Sequence, residues 1–577
     1  MSATITTQLG EALPPGQKHA ITFHLPKWTN VLRMVNKDRS IIAQLKSFYP
    51  RMMPGHVDVK ALSVEVLKFL QVPEGNTTFI FTSLVSAAEC IDFAVKGPRV
   101  DDENLPAIAE GPETQPMPRE ELSLRVLEVE KTGQRLYAVI FSMAKMPRLM
   151  HFWANAGTGI TTRVAEESLP HVDSLREIPI DSPAREIPES PAHLEIKERI
   201  ATLLERSPVG GERSVKVTKD DIYLYQTGMT AIYKTHKYIL STHTPPQKSA
   251  LFGFAFYATL RVFSDFGPGY KLYPFGTADD LTSLTQFLES EKEAGRHVQA
   301  IWAEFPTNPS LTVPSLPRLR EIANTYNALL IIDDTVGSFA NIDLLGSNGV
   351  DILVTSLTKS FSGYADVMGG SAVLNPLGSR YQELKTLYTA NYTLDYSPLD
   401  ASVLASNSRD YLVRSHTLNT NTQSLVSYFQ THAQSPSSPI KTVQHPTTNP
   451  EFKANYDLVK RPTTEEFAAG YGYLFSIVFK NVDMLRVFYD NLNMHMGPHL
   501  GAHRTIVITY VKALYGKDLG WAGGRGLSEA SMRIAPGLED VDALIGDFEN
   551  ALKAVTDQDG KTEGDVEKAL EGGLVSL

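Results

Sequence analysis

Lys359 stands in Ser356-Leu357-Thr358-Lys359-Ser360-Phe361-Ser362-Gly363, directly after the apolar run Asp351-Ile352-Leu353-Val354-Thr355. An earlier apolar run ends in the acidic turn Ile331-Ile332-Asp333-Asp334-Thr335. A lysine amine just past a buried strand can condense with an aldehyde. The neighbouring hydroxyls of Ser356 and Thr358 can bond a phosphate. A carboxylate one crossover back, Asp333, can pair with a protonated pyridine nitrogen and keep the ring an electron sink. Together these are the requirements of a pyridoxal-phosphate site. A lone lysine after a strand is more often a solvated surface residue, so the weight falls on the rest of the chain.

Three further segments bear on it. Tyr225-Gln226-Thr227-Gly228-Met229-Thr230-Ala231-Ile232 precedes a helical stretch, and a Gly–X turn opening a helix aims N–H groups and the positive dipole end at an anion. Ala300-Ile301-Trp302-Ala303-Glu304-Phe305 runs into the loop Pro306-Thr307-Asn308-Pro309; Asn308 there is otherwise an ordinary turn former. Ser531-Met532-Arg533-Ile534-Ala535-Pro536-Gly537-Leu538-Glu539-Asp540 places one arginine in a strand-like segment. A guanidinium is suited to a bidentate grip on a carboxylate, and otherwise to a surface ion pair.

In this order these segments resemble the Cys/Met-metabolism family of pyridoxal-phosphate enzymes, and within it the fungal cystathionine γ-synthases. Tyr223-Leu224-Tyr225, Asn407-Ser408-Arg409-Asp410-Tyr411, and an N-terminal extension with Phe48-Tyr49-Pro50-Arg51 and Phe152-Trp153 suggest the fungal subgroup. The resemblance is dense from about residue 223 to 552. It implies pyridoxal 5'-phosphate as cofactor, with Lys359 holding it and moving protons between substrate carbons. It implies that Asp333 pairs with the ring nitrogen. It implies that the Gly228 and Met229 amides and the Ser356 and Thr358 hydroxyls hold the phosphate. It implies that Arg533 and Asn308 meet the substrate carboxylate. The family stacks a tyrosine on the ring; here Gly253-Phe254-Ala255-Phe256-Tyr257-Ala258 puts Phe256 at that position and Tyr257 beside it, of which only Tyr257 could also act as an acid or base. The activity implied is γ-replacement on an O-acyl-homoserine. The alternatives are the same chemistry with a non-cysteine, for example carbon, nucleophile, and an inactive regulatory relative.

The chain departs from the family at several places. The family draws a Tyr-x-Arg, or in fungal relatives Gly-Arg-Asn, from the neighbouring subunit to the phosphate. It is expected just ahead of the helix 194–201, where this chain has Ile178 to Pro188, so Arg185 or Arg176 is the expected substitute. Tyr49-Pro50-Arg51 fits Tyr-x-Arg but lies in the N-terminal extension and is discounted. Asp-Asn-Thr becomes Asp333-Asp334-Thr335, the usual C-terminal serine is Ala535, and His499 sits in Gly497-Pro498-His499-Leu500-Gly501, where relatives carry small residues.

The whole chain agrees with a globular enzyme. It has 577 residues, 42% hydrophobic and 21% charged, and a formal net charge of −11, which argues against nucleic-acid or anionic-membrane partners. The single cysteine, Cys90, permits no intrachain disulfide and no cysteine metal cluster. No bound metal is expected. No secretory signal and no apolar run long enough to span a bilayer is seen. A cytoplasmic amino-acid enzyme is expected, a homodimer or homotetramer whose sites are completed across the interface.

The fold class expected is α/β, the type I pyridoxal-phosphate fold, with a mainly parallel sheet in the large domain and a smaller C-terminal α/β domain. The boundaries expected are an N-terminal extension at 1–150, with a hairpin about Lys131-Thr132-Gly133-Gln134, and a Pro-rich arm or linker at 151–191. The cofactor-binding domain is expected at 192–415, the C-terminal domain at 416–556 and a flexible tail at 557–577. Near-continuous apolar runs at 249–256, 298–304, 329–333 and 352–355 suit a parallel sheet covered on both faces. Ligands gather at the carboxyl ends of such strands, where Asn308, Asp333 and Lys359 fall. Residues 434–465, rich in Ser, Pro and Thr, read as an exposed insertion.

Overall fold

A computed structural model describes residues 4–108, 110–183 and 187–572, with side chains to residue 557. The central sheet has seven strands, β5 (Ile222–Tyr225), β6 (Lys248–Phe252), β7 (Tyr270–Tyr273), β8 (Val298–Glu304), β9 (Leu329–Asp333), β10 (Ile352–Thr355) and β11 (Gly370–Leu374). Their order is β5-β11-β10-β9-β8-β6-β7. The five strands from β10 to β7 run parallel, and β11 is antiparallel to both neighbours. Strands β8 and β10 are buried along their whole length, which is why they carry no polar alternation. The mainly parallel sheet expected from the apolar runs is therefore present.

Before it lies a four-stranded antiparallel sheet of β1 (Asn76–Phe81), β2 (Ser123–Val129), β3 (Gln134–Ser142) and β4 (Leu175–Ile178), in the order β1-β3-β2-β4. The hairpin expected about residues 131–134 joins β2 to β3. Two readings of the boundaries are corrected here. Residues 151–178, read as part of an arm, fold into two helices and the edge strand β4. Residues 4–56 do not pair with this sheet: Leu25 N–H donates to Met496 O at 2.7 Å and Phe23, Trp28 and Val31 share a core with Phe475 and Val507, while Leu13, Ile21 and Met53 pack into the core of the N-terminal and central sheets. That burial anchors the segment and leads it to a short 3₁₀ helix, Pro50–Gly55.

The third sheet contains β12 (Ile440–Gln444), β13 (Phe475–Phe479), β14 (His495–Met496), β15 (Ile506–Ile508) and β16 (Ser531–Ala535), in the order β12-β13-β16-β15-β14. Residues 434–465 are thus not simply an exposed insertion: β12 pairs with β13, with Ile440 and Val443 buried, and a helix follows at Pro450–Asp457. The last helix runs Val541–Gly572, so most of the expected tail continues it; residues 573–577 lie outside the described residues.

Candidate active site

Thr227 caps the helix Gly228–Leu240: its Oγ1 accepts the Thr230 N–H at 3.0 Å. The turn is pressed against the end of β10, since a Cβ on Gly228 would lie 2.5 Å from Ser356 Cβ. Glycine is required there by close approach. The uncapped N–H groups of this helix start open into a cavity of about 100 Å³. Gly228, Met229, Phe256, Asn308, Asp333, Ser356, Thr358, Lys359 and Arg533 all line it. Residues from four strand ends, a helix start and the C-terminal sheet are thereby brought to one place. The Thr358 hydroxyl is engaged with Gly369, donating to its carbonyl at 3.1 Å and accepting its N–H at 3.0 Å; this leaves Ser356 better disposed toward a phosphate than Thr358.

Asp333 is the last residue of β9. Its Oδ1 accepts the Thr335 N–H at 2.8 Å. Burial holds its carboxyl above the ordinary range against the pull of Thr335 and Lys359. A buried carboxylate in that state gains from a cationic partner. Arg533, on β16, is only 2% exposed. Its guanidinium donates to Asn308 Oδ1 at 3.1 Å and to the carbonyls of Pro498 at 2.7 Å and His499 at 3.3 Å, and it faces the Tyr510 ring at 4.8 Å. Burial lowers its pKa. Among the described residues it has no carboxylate in ion-pair range, so the charge is held by neutral groups and is suited to an incoming anion.

Two residues discounted in the sequence complete the site. Tyr49 and Arg51, at the start of the turn Pro50–Gly55, line the same cavity from the same chain. Lys359 Nζ donates to Tyr49 Oη at 3.1 Å. Burial pushes the Tyr49 phenol up, but Lys359, Arg533 and Arg51 outweigh it and bring it below its ordinary value. His499 Nδ1 lies 3.5 Å from Lys359 Nζ. Burial, then Lys359 and Arg533, push its imidazole well below the ordinary value, so it is neutral. Glu304, Thr335, Val336 and Leu500 also line the cavity.

Comparison with known proteins decides what this site belongs to. Residues 218–553 match the family described as Cys/Met metabolism PLP-dependent enzyme, and residues 58–161 the fungal trans-sulfuration enzyme N-terminal domain. The chain belongs to the Cys/Met-metabolism family of pyridoxal-phosphate enzymes. The cystathionine gamma-synthase-like enzyme iboG2 of Amanita muscaria is 31% identical over 629 residues, spanning 96% of this chain and 97% of its own. The cystathionine gamma-synthase of Neurospora crassa is 28% identical over 643 residues, spanning 96% and 99%. The alanine racemase ungC of Aspergillus violaceofuscus is 30% identical over 579 residues, spanning 95% and 96%. In fold, the solved cystathionine gamma synthase of Xanthomonas oryzae pv. oryzae matches 66% of this chain and 91% of its own, with TM-score 0.51 and 19% identity.

Pyridoxal phosphate is thus the cofactor, and the residues fit it. An open helix start faces Ser356, a buried carboxylate ends β9, and a lysine stands between them in one cavity. Phe256, not Tyr257, lines that cavity. Tyr257 opens the helix Tyr257–Asp265: its hydroxyl accepts from Arg261 Nε at 3.2 Å, its ring packs on Tyr515, and the guanidinium of the cavity-lining Arg51 lies over that ring at 5.4 Å. The expected acid–base role therefore has no geometric support at Tyr257. Arg176 is on β4, ion-paired with Glu128 at 2.9 Å and Glu130 at 3.0 Å, away from the cavity. Arg185 lies outside the described residues. Among the described residues, no helix is long and apolar enough to cross a membrane.

Proposed function

We propose that this enzyme carries out γ-replacement on an O-acyl-homoserine. Bound pyridoxal phosphate supplies an electron sink conjugated to the substrate's α-carbon. Ser356 and the N–H groups of Gly228 and Met229 hold its phosphate, Asp333 its ring nitrogen, and Phe256 its face. Arg51 adds a cation at the phosphate. Arg533 and Asn308 take the substrate carboxylate and orient the α-proton toward Lys359 Nζ. Lys359 accepts that proton, then moves a second one from the β-carbon, after which the γ-acyloxy group can leave and a nucleophile can take its place. Tyr49, held at 3.1 Å from Nζ with a phenol brought below its ordinary pKa, is the second acid–base group.

The observation that carries this reading is the buried, carboxylate-free Arg533 guanidinium in the same cavity as Lys359. It supports an α-amino-acid substrate over a simple amine. The acceptor is read as other than cysteine, for example a carbon acid. A bulky neutral imidazole, His499, stands beside the lysine, and Ala535 ends β16 where a hydroxyl is usual in the family. Cystathionine formation with cysteine is the second reading, supported by the near full-length likeness to the Neurospora enzyme. Incubation with O-acetyl-homoserine and either cysteine or a keto acid, followed by product mass, separates them. Release of acetate with no acceptor-dependent product in either case would refute replacement.

A further inference from the structure

Glu304 ends β8 and is matched across the sheet with Asp333 at the end of β9. It is 7% exposed and lines the cavity. Its two carboxylate oxygens go to different walls. Oε1 accepts the Phe256 N–H at 2.7 Å; Oε2 accepts the Asn308 N–H at 2.9 Å. Phe256 belongs to the connection after β6 and opens the next helix, where its N–H has no partner within that helix. Asn308 belongs to the loop after β8 and is itself bonded to Arg533. Burial pushes the Glu304 carboxyl well above its ordinary range and the neighbouring Asp333 adds to this; the two N–H groups are the contacts that favour its charge. A carboxyl this costly to bury, lying beside a second buried acid, would be poorly placed if its only task were to fill space.

We propose that Glu304 is a positioning residue that fixes the ring-facing wall to the substrate-carboxylate wall, so that the places of cofactor ring and substrate are set by one side chain. The inference rests on the reading above, in which Phe256 meets the ring and Asn308 with Arg533 meets the carboxylate. Glu304 touches no reacting atom; it acts through those residues. A glutamine in its place keeps one acceptor oxygen, but its NH2 group turns a donor toward the other wall's N–H. One wall is then left without its partner. An aspartate is one methylene shorter and reaches one wall only.

The test uses the purified cofactor-loaded enzyme, wild type, Glu304→Gln and Glu304→Asp. L-2-aminobutyrate is titrated by the visible spectrum, and the induced circular dichroism of the bound cofactor and the thermal midpoint are recorded. This ligand lacks a leaving group, so its binding is read whether or not γ-replacement is the reaction. For Glu304→Gln we expect about a tenfold rise in the ligand's Kd together with a weakened dichroic band. Should Glu304→Gln not fold, Glu304→Asp serves, with the same two signals expected to move together. A fall in thermal midpoint alone, with Kd and dichroism at wild-type values, would overturn the proposal. So would a glutamine variant in which only one signal moves, because the two walls would then not be joined through Glu304.

Discussion

Asp334 offers a sharp test of the electrostatics beneath the site. It is 1% exposed, its Oδ1 accepts the Thr355 hydroxyl, and burial with help from Asp333 pushes its carboxyl up to about 8 from 3.8. Relatives carry asparagine in the corresponding Asp-Asn-Thr. The sign is fixed by linkage: between pH 3.8 and 8 the folded carboxyl keeps a proton that the unfolded chain has released. The folded state therefore binds more protons, and stability falls as pH rises through that window. One whole proton corresponds to about 1.4 kcal/mol per pH unit, or at most ~4 kcal/mol between pH 5 and pH 8. Asp334→Asn removes this term and keeps the acceptor for Thr355. The variant should thus match wild type only below about pH 3.8, where neither state has released the proton, and become progressively more stable than it from there toward pH 8. A chain of several domains does not unfold in one step, so thermal midpoints of the loaded enzyme at one scan rate are compared at pH 5.5 and 8. An equal difference at both pH values, or a destabilised variant at pH 8, would refute the reasoning.

Two further outcomes follow from the site. Lys359→Ala should fold but lose the visible band of lysine-bound cofactor; retention of that band with full turnover would move the lysine's role elsewhere. Arg51→Ala should raise the Kd for pyridoxal phosphate about tenfold, the equivalent of one charge-assisted hydrogen bond of ~1.5 kcal/mol, measured by equilibrium titration of the apoenzyme, whereas Arg176→Ala should leave it unchanged.

Much of this was legible in the residues because chemistry fell at strand ends. Asn308, Asp333 and Lys359 each close or follow a run with no polar alternation, and the C-terminal ends of parallel strands converge; Glu304, at the end of the run that Asn308 follows, was passed over. Arg533 was legible from its strand-like segment and the family motif around it instead, since it sits in the middle of the antiparallel strand β16. The N-terminal strap was not. Nothing local in Phe48-Tyr49-Pro50-Arg51 says that the segment before it docks on the C-terminal half; that placement depends on Phe23, Trp28 and Val31 finding a core that includes Phe475 and Val507, more than 400 residues away. Tyr-x-Arg was visible, but its place in the N-terminal extension, far ahead of Gly228, told against it. Tyr257 was missed by one residue: Phe256 lines the cavity, while the Tyr257 hydroxyl is taken up by Arg261. Residues 440–444 were obscured by flanking Ser, Pro and Thr, although only two buried positions, Ile440 and Val443, were needed to seat an edge strand.

The most direct measurement of the central claim needs no acceptor. Chemistry at the γ-carbon requires that Lys359 reach a β-proton as well as the α-proton. Incubated in D2O with L-2-aminobutyrate and followed by proton NMR, the loaded enzyme should exchange hydrogen at both Cα and Cβ. The Lys359→Ala variant should exchange at neither. Exchange confined to Cα, the pattern of a racemase, would contradict the account.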